Sequence, residues 1–385
     1  MRIGMFTDTY TPQINGVVTS IRSFTEELQK MGHEVFIFAP KLQDSVEQDN
    51  IFYFKSFKYA PLPEHHLAYS LSGHLKTFKD LKLDILHSHT PFSLGWLALF
   101  FSKQYHIPLI HTYHTLFIEY VHYVPTAVGQ WLGVWLSTNA SRRYCQSCAM
   151  TVVPSEAMRK ELQRYGVTNE IDVIPTGVND DFRDIGDAET VLKKYNIDTN
   201  TIDIIAYAGR IAKEKNIEFL LHVYKEILKV RTHILFVVIG DGQHRPVIEK
   251  MAMDLGIRDK MLFTGYISDK TELAGWYKAA QAFVFSSLTE TQGLVILEAM
   301  SVGTPVVAVD AMGISDIIHD NTGGFASKPD VSEFALKLTR LLSDKELHKQ
   351  KSNEASQLAK RMSMFNMTNR LVENYQRLID VATKV

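Results

Sequence analysis

Cysteine is nearly absent from this chain, which has only Cys145 and Cys148 among its 385 residues. The two form a single C-x-x-C, and no second pair is present to complete a tetrahedral zinc site. We therefore expect two reduced, buried thiols. A redox-active pair is the alternative interpretation.

Long apolar runs and an excess of basic charge are also missing. No stretch reaches the roughly 18 apolar residues of a membrane-spanning helix, and the chain reaches Asp8 too early for a signal peptide. With 41 Lys and Arg against 43 Asp and Glu, it has no basic field that would attract nucleic acid. We expect a cytoplasmic protein that touches a membrane only from its surface, and no nucleic-acid partner. The sequence does not specify an oligomeric state.

The length and composition of the chain predict two domains. With 385 residues, 45% of them hydrophobic, it is too long for a single core to be the first expectation. Residues 3–6, 17–31 and 34–39 have the patterns of a strand, a helix and a strand. Such βαβ units pair their strands in parallel through right-handed crossovers. Further strands are predicted at residues 85–89, 109–112 and 150–153, so the first domain should be doubly wound.

The same pattern begins again after residues 172–178, where Pro175 and Gly177 are typical of a hinge. A helix is expected from Ile217. The predicted strands of this second part are residues 204–209, 234–240, a segment near 262, 282–285 and 305–309. The sequence thus predicts an α/β protein of two Rossmann-like doubly wound domains, residues 1–173 and 174–363. By analogy, a C-terminal helix at 364–385 should cross back to the first.

Residues 290–298 are the strongest indication of a ligand site. Glu290 and Glu298 have seven residues between them and follow a predicted strand, where open α/β sheets bind ligands. A helix that starts near Gly293 would present free backbone N–H groups to an anion such as a diphosphate. The residues expected there are Thr291, Gln292, Gly293 and Leu294. The alternative is that both acids are ordinary helix charges, which suits Glu298 poorly because its neighbours are apolar.

A cationic loop follows the first predicted strand of the second domain, a position where Rossmann domains meet phosphate. It contains Arg210 and Lys215. A guanidinium fork and an ammonium could together neutralise a diphosphate without a metal. The alternative is that these cations only solvate a loop.

The Glu-x7-Glu sequence, together with the loop at residues 8–16, resembles the signature of retaining glycosyltransferases of family 4. The resemblance covers essentially the whole chain and is greatest to bacterial diacylglycerol glucosyltransferases. It implies the GT-B fold, in which two Rossmann-like domains face each other across a cleft, the first binding the acceptor and the second the nucleotide sugar. By this resemblance Glu290 contacts the transferred hexose, and Glu298 holds the ribose hydroxyls of the nucleotide.

The resemblance also assigns the remaining donor contacts. Arg210 and Lys215 would hold the donor diphosphate, and since the chain contains no Asp-x-Asp pair, we expect no metal cofactor. Gly16 and Gly240 would let the backbone approach the donor, because glycine has no Cβ. Ile267, in a loop after the strand near residue 262, is expected beside the base.

His114 is expected at the reacting centre, because the loop that bears it resembles the family's histidine loop. It could donate a hydrogen bond to a sugar hydroxyl or help to position the acceptor hydroxyl. The alternative is a structural histidine, since this part of the chain is rich in them. The neighbouring histidines are His87, His89, His106 and His122.

Two segments bear on the acceptor. Leu67, Leu71, Leu75, Phe78 and Leu81 recur at helical spacing beside lysines, which indicates either a membrane-surface helix or a stripe packed on the sheet. Residues 116–144 are rich in large apolar side chains and include Arg142 and Arg143. They could line an entry for acyl chains with arginines near lipid phosphates, or form a core helix.

These features and the resemblance predict a retaining hexosyltransferase that moves glucose from UDP-glucose onto a membrane lipid such as 1,2-diacylglycerol. The enzyme would be peripheral on the inner face of the cell membrane, in contact with an anionic lipid surface. A soluble or polysaccharide acceptor is the alternative within the same chemistry. A nucleotide-sugar epimerase of similar fold and a non-catalytic sugar-binding protein are the alternatives outside it.

Overall fold

The computed structural model describes residues 1–13, 15–58, 66–69, 75–114, 127–198 and 202–383, with the backbone alone at 75–77 and 127–132. Its contacts form two compact units, Met1–Thr176 with Met364–Val385, and Gly177–Ser363. Each unit contains a parallel sheet flanked by helices. The prediction of two Rossmann-like folding units is therefore confirmed.

The first unit is built around a seven-stranded sheet in which every strand pair is parallel. The strands of the first unit, two of which lie outside this sheet, are β1 (Arg2–Phe6), β2 (Glu34–Pro40), β3 (Ile51–Phe54), β4 (Ser56–Lys58), β5 (His66–Ala68), β6 (Ile85–Ser88), β7 (Leu109–Thr112), β8 (Met150–Val153) and β9 (Ile171–Val173). Its helices are α1 (Gly16–Lys30), α2 (Leu75–Asp80), α3 (Ser93–Tyr105), α4 (Ala127–Ser147), α5 (Glu156–Arg164) and the C-terminal helix α14 (Met364–Ala382). β4 and β5 form a separate antiparallel pair.

The second unit has a six-stranded parallel sheet. Its strands are β10 (Asp203–Ala208), β11 (Ile234–Ile239), β12 (Met261–Gly265), β13 (Ala282–Phe285), β14 (Val306–Val309) and β15 (Gly324–Ser327). Its helices are α6 (Ala188–Lys194), α7 (Ile217–Leu228), α8 (Arg245–Asp254), α9 (Lys270–Ala279), α10 (Leu294–Ser301), α11 (Gly313–Ile317), α12 (Val331–Ser343) and α13 (Lys345–Arg361).

Both sheets reverse their strand order at one point. The first runs β3-β2-β1-β6-β7-β8-β9 and the second β12-β11-β10-β13-β14-β15. The reversal therefore lies between β1 and β6 in one unit and between β10 and β13 in the other. The loops after these strands diverge to opposite faces of the sheet and leave a crevice at its carboxyl edge, which is where doubly wound sheets bind ligands.

The C-terminal helix α14 packs on the core of the first unit. Met364, Leu371 and Tyr375 are at most 1% exposed and join the apolar cluster of β1, β2 and α1. Arg370 and Arg377 add ion pairs to Asp172 and Glu170. The helix thus completes the first unit after the chain has passed through the second.

The proposed helical stripe that begins at Leu67 is wrong at its start. Leu67 lies in strand β5, paired with Phe57, and helix α2 begins only at Leu75. Phe78 is buried and stacks on Phe101 with ring centroids 3.8 Å apart, so it packs on the first unit's core. Leu71 lies outside the described residues.

The aromatic segment at residues 116–144 is described only in part. Residues 115–126 lie outside the described residues, and helix α4 covers the rest. Trp135 and Leu136 are 53% and 52% exposed on α4, and Tyr144 is buried. Arg142 and Arg143 are exposed.

Cys145 and Cys148, at the end of α4, are free and buried as predicted. In the described part of the chain, no helix has the length and hydrophobicity needed to cross a bilayer.

Candidate functional site

The two loops at the switch point of the second sheet are held together by hydrogen bonds. Ser286, directly after β13, donates through Oγ to the carbonyl oxygens of Lys215 and Asn216 at 2.9 Å each. Ser287 donates to the Glu214 carbonyl at 3.3 Å. The loop after β10 is therefore fixed against the loop after β13 before any ligand contributes.

An ion pair between Lys215 and Glu290 joins these loops. The side chains are only 21% and 18% exposed, so solvent screens their charges less than it would on an open surface. Lys215 ends a short 3₁₀ helix, Lys213–Lys215, and Asn216 follows in the left-handed conformation. The pair places a cation that can attract phosphate beside a carboxylate that can accept hydrogen bonds from hydroxyls.

Arg210 lies in the same loop but has a different partner. Its guanidinium bonds Glu214 at 3.1 Å, and its side chain is 56% exposed. The buried Tyr207 donates its hydroxyl to the Arg210 carbonyl at 3.3 Å, which holds the backbone of this residue. The structure thus brings Arg210 and Lys215 together on one loop, with the guanidinium on its solvent side.

Helix α10 begins at Leu294, immediately after Gly293, whose φ of +84° favours glycine. No described group accepts a hydrogen bond from the backbone N–H of Gly293 or Leu294. Thr291 and Gln292 form the turn before the helix, with Gln292 only 9% exposed. These N–H groups and the helix dipole make the turn suited to an anion.

The loop after β14 supports this turn, which the sequence reasoning did not foresee. Gly313 donates its N–H to the Glu290 carbonyl at 3.0 Å, and a Cβ at this position would lie 2.2 Å from the Thr291 oxygen. Met312 precedes Gly313 with φ 49° and ψ −130°, a backbone conformation that residues other than glycine rarely adopt. In the sequence, the position of Gly313 shortly after the predicted strand at residues 305–309 could have indicated this contact.

Glu298 lies one turn inside α10 and is separate from the ion pair. The Tyr277 hydroxyl, on α9, donates to its carboxylate at 3.1 Å. Burial raises the pKa of Glu298 from 4.5 to about 7, although the Tyr277 hydrogen bond favours the charged form. No contact among the described residues links Glu298 to Lys215 or Glu290. Glu298 and Glu290 therefore have separate partners, Tyr277 and Lys215.

Glycines allow backbone segments to approach closely at the carboxyl edge of this sheet. A Cβ on Gly240 would lie 2.0 Å from the Gly209 carbonyl oxygen, and the φ of Gly240 is +131°. Gly240 also donates its N–H to Gly265 at 2.9 Å, which ties the ends of β11 and β12. Ile267, two residues later, is partly buried against the core of the second unit.

In the first unit, Gly16 is exposed at the start of α1, and a Cβ there would meet no atom within 4 Å. The Asn15 side chain caps this helix by accepting from the Val18 N–H at 3.0 Å.

Asp8, which follows β1, was not predicted as a residue that organises the site. Its buried carboxylate accepts from the hydroxyl of Thr90 at 2.6 Å and from the Leu94 N–H at 3.0 Å, and burial raises its pKa to about 6.

Asp8 therefore ties the loop after β1 to the start of α3, at the switch point of the first sheet.

His114 follows β7 at the carboxyl edge of the first sheet, where it is partly buried. Its Nε2 lies 3.0 Å from Nδ1 of His89, which follows β6. Burial lowers the pKa of His114 to about 4, so the ring is neutral near pH 7. His89 was predicted only as a neighbouring histidine, because the contact depends on the pairing of β6 with β7.

Within the described residues, no group of three or more His, Cys, Asp or Glu side chains could hold a metal ion.

Two known families match this chain. Residues 14–182 match the family described as Glycosyltransferase Family 4, and residues 187–358 match Glycosyl transferases group 1. The chain is 37% identical to an alpha-monoglucosyldiacylglycerol synthase of Streptococcus pneumoniae, over 84% of this chain and 74% of that protein. It is 32% identical to the alpha-monoglucosyldiacylglycerol synthase of Acholeplasma laidlawii, over 80% of each.

Among solved structures, the fold is similar to that of a sucrose-phosphate synthase from Thermosynechococcus elongatus. The TM-score is 0.77, with 21% sequence identity over 99% of each chain. At that identity the similarity concerns the fold alone, and it agrees with the GT-B class expected from the sequence.

The close approach at Gly240 generates a stability prediction. We expect Gly240→Ala to lower the free energy of unfolding by about 3 kcal/mol or more, because the new methyl group meets the Gly209 backbone in a conformation that only glycine adopts easily. Urea unfolding measures the change. Gly256→Ala is the matched control, since Gly256 has a φ of +69° but open space around its Cβ, and it should cost about 1 kcal/mol. Equal losses in the two variants would contradict the account.

The raised pKa of Glu298 generates a prediction with a definite pH dependence. Between pH 4.5 and about 7 the folded state holds a proton that the unfolded state has lost, so stability falls as pH rises through this range. Glu298→Gln removes this loss. We expect the variant to be more stable than wild type above pH 7, by roughly 3 kcal/mol at most, and equal to it near pH 4.5.

Thermal or urea unfolding at both pH values checks this, with Glu346→Gln at an exposed position of α13 as the control. A difference between Glu298→Gln and wild type that does not change with pH would show that Glu298 keeps an ordinary pKa.

Proposed function

This chain belongs to the family 4 glycosyltransferases, and we propose that it transfers glucose from UDP-glucose to 1,2-diacylglycerol with retention of anomeric configuration. The two relatives of 37% and 32% identity carry the name alpha-monoglucosyldiacylglycerol synthase, which supports both the sugar and the lipid acceptor. UDP-glucose carries its sugar in the α linkage, so an α-linked product requires retention.

The observation that carries the proposal is the Lys215–Glu290 ion pair beside the start of α10. Cleavage of a glycosyl phosphate bond leaves negative charge on the departing diphosphate. Lys215, Arg210 and the N–H groups near Gly293 can stabilise that charge in a site that is fixed before the reaction. Because these groups are all supplied by the protein, the proposed reaction needs no metal cofactor.

The remaining residues have proposed roles toward the donor. Glu290 accepts hydrogen bonds from hydroxyls of the transferred glucose, and Glu298 accepts them from the ribose of the nucleotide. Gly16, Gly240 and the turn of Thr291, Gln292, Gly293 and Leu294 let backbone approach the donor, with Ile267 beside the base. In the proposed chemistry the acceptor hydroxyl forms the new bond to the anomeric carbon as the bond to the diphosphate breaks. The departing phosphate oxygen takes the hydroxyl proton.

We infer that the enzyme works on the inner face of the cell membrane as a peripheral protein. On α4, Trp135 and Leu136 are about half exposed, and Arg142 and Arg143 lie exposed two turns further along. An anionic lipid surface attracts basic side chains by charge, and amphipathic aromatic side chains such as tryptophan suit the membrane–water interface. A soluble acceptor for the same chemistry is an outcome of the assay below.

Transfer from radiolabelled UDP-glucose to diacylglycerol in anionic vesicles tests the proposal. We expect label in the organic phase with wild-type protein and none with Lys215→Met. Label that appears only in a water-soluble product would refute the lipid acceptor. If no label is transferred, the same assay with other nucleotide sugars decides whether the donor assignment or the enzymatic activity itself is wrong.

The two glutamates should fail in different ways. Glu290→Gln is expected to reduce transfer by about a hundredfold or more while UDP binds within a few-fold of wild type, because Glu290 contacts the sugar. Glu298→Gln should weaken UDP itself by about tenfold, because an amide offers one acceptor oxygen to the ribose hydroxyls where a carboxyl group offers two. Calorimetric titration with UDP measures both. The variants control for each other, since each removes one charge from the same motif. Equal loss of UDP affinity would refute this division of roles.

Chelation should not affect the rate. With the diphosphate held by Lys215, Arg210 and the start of α10, transfer measured after dialysis against EDTA is expected to equal that of untreated protein. A rate that falls on chelation and returns only with added magnesium or manganese would show that a metal supplies part of the charge.

A further inference from the structure

Three histidines of the first unit, His87, His89 and His114, form a row of contacting rings that we call the histidine ladder. His87 lies in β6, and His89 is the residue directly after that strand. The ring centroids of His87 and His89 are 4.1 Å apart and their planes are inclined by 29°. His89 and His114 lie edge to edge in nearly the same plane, with ring centroids 5.3 Å apart and planes inclined by 20°. β6 and β7 are neighbours in the sheet, so their carboxyl ends bring the second and third rings together.

His87 is fixed at both ring nitrogens. Its Nδ1 lies 2.6 Å from the Tyr375 hydroxyl on α14, and its Nε2 lies 2.6 Å from the Thr112 hydroxyl on β7. His87 and Tyr375 are at most 1% exposed. The base of the ladder is therefore held by the C-terminal helix on one side and by the neighbouring strand on the other.

A single hydrogen bond connects His89 to His114. The bond joins Nδ1 of His89 and Nε2 of His114, which lie 3.0 Å apart. Burial lowers the pKa of both rings, so both are neutral near pH 7. In a pair of neutral imidazoles, one nitrogen of this bond carries the proton and the other accepts it.

The other nitrogen of His89 decides which ring donates. His89 is 3% exposed, and its Nε2 has no hydrogen-bond partner among the described residues. A proton on this Nε2 would be a buried N–H without an acceptor, which proteins avoid more strictly than a buried lone pair without a donor. The proton of His89 therefore belongs on Nδ1, where it donates to Nε2 of His114.

We propose that His89 is a positioning residue that fixes His114 as the tautomer with its proton on Nδ1. The other ring nitrogen of His114, Nδ1, is then a hydrogen-bond donor and not a proton acceptor. On the function proposed above, this N–H donates to a hydroxyl of the transferred glucose. His114 thus orients the sugar and does not deprotonate the acceptor, which leaves the departing phosphate as the proton acceptor.

The tautomer can be measured directly in the full-length protein labelled with ¹⁵N-histidine. Long-range ¹H–¹⁵N correlation spectra separate the protonated from the unprotonated ring nitrogen of a neutral imidazole. The His114 signals are those that vanish in His114→Gln. In wild type we expect a protonated Nδ1 and an unprotonated Nε2. The opposite pattern in wild type would overturn the proposal.

Two substitutions of His89 test whether it sets this pattern. His89→Asn keeps an amide donor in the place of Nδ1 and should preserve the His114 tautomer. His89→Phe keeps a flat ring against His87 but removes the donor, so a population with the proton on Nε2 should appear. His111→Asn is the control, because His111 is buried in β7 and bonds Ser88, with no hydrogen bond to His114. An unchanged His114 pattern in His89→Phe would refute the role of His89.

The kinetic consequence separates this proposal from the proposed function. In the transfer assay, His89→Phe should lower kcat/KM by about fivefold to tenfold, the worth of one oriented hydrogen bond, and His89→Asn should restore most of it. If no transfer occurs with wild type, the proposed function fails while the spectra still decide the tautomer. Full activity of His89→Phe alongside a changed tautomer would refute the donor role of His114.

Discussion

On the function proposed above, the charge of the donor's diphosphate is the constraint that the loops of the second unit must meet. An anion of this kind must be held by groups that are already in place, because moving them during the reaction would cost the energy that stabilises the transition state. Lys215 meets this requirement through its ion pair with Glu290 and through the Ser286 hydroxyl, which bonds the carbonyls beside it. The cation is therefore positioned by two loops that belong to neighbouring strands.

The same constraint explains why glycine recurs at the carboxyl edge of this sheet. Gly240 and Gly313 each lie where a Cβ would collide with backbone, at 2.0 Å and 2.2 Å. Close packing of these loops brings the N–H groups near Gly293 and the Lys215 ammonium to one edge. In the first unit the equivalent order comes from polar side chains: Asp8 ties the loop after β1 to α3, and the histidine ladder links α14 to His114.

Ten of the fifteen described strands and the charged loops of the site could be predicted from the sequence, because each predicted strand is a short apolar run followed by polar residues. The strands β3, β4, β5, β9 and β15 were missed. Lys215 and Glu290 were expected from their places after two such strands, although their mutual contact was not. The histidine ladder could not be predicted, since it depends on the register of β6 against β7 and on a helix more than 250 residues later. The stripe from Leu67 failed because helical spacing alone does not exclude a short strand.

Calorimetric titration of wild type and Lys215→Met with UDP and with uridine tests whether Lys215 holds the diphosphate. We expect UDP to bind wild type at least about tenfold more tightly than the variant, since Lys215→Met removes a charge-assisted contact to phosphate from a partly buried cation. Uridine should bind both equally, because it has no phosphate. Equal UDP affinity in the two proteins would show that groups other than Lys215 hold the diphosphate, and the proposed role of Lys215 would be wrong.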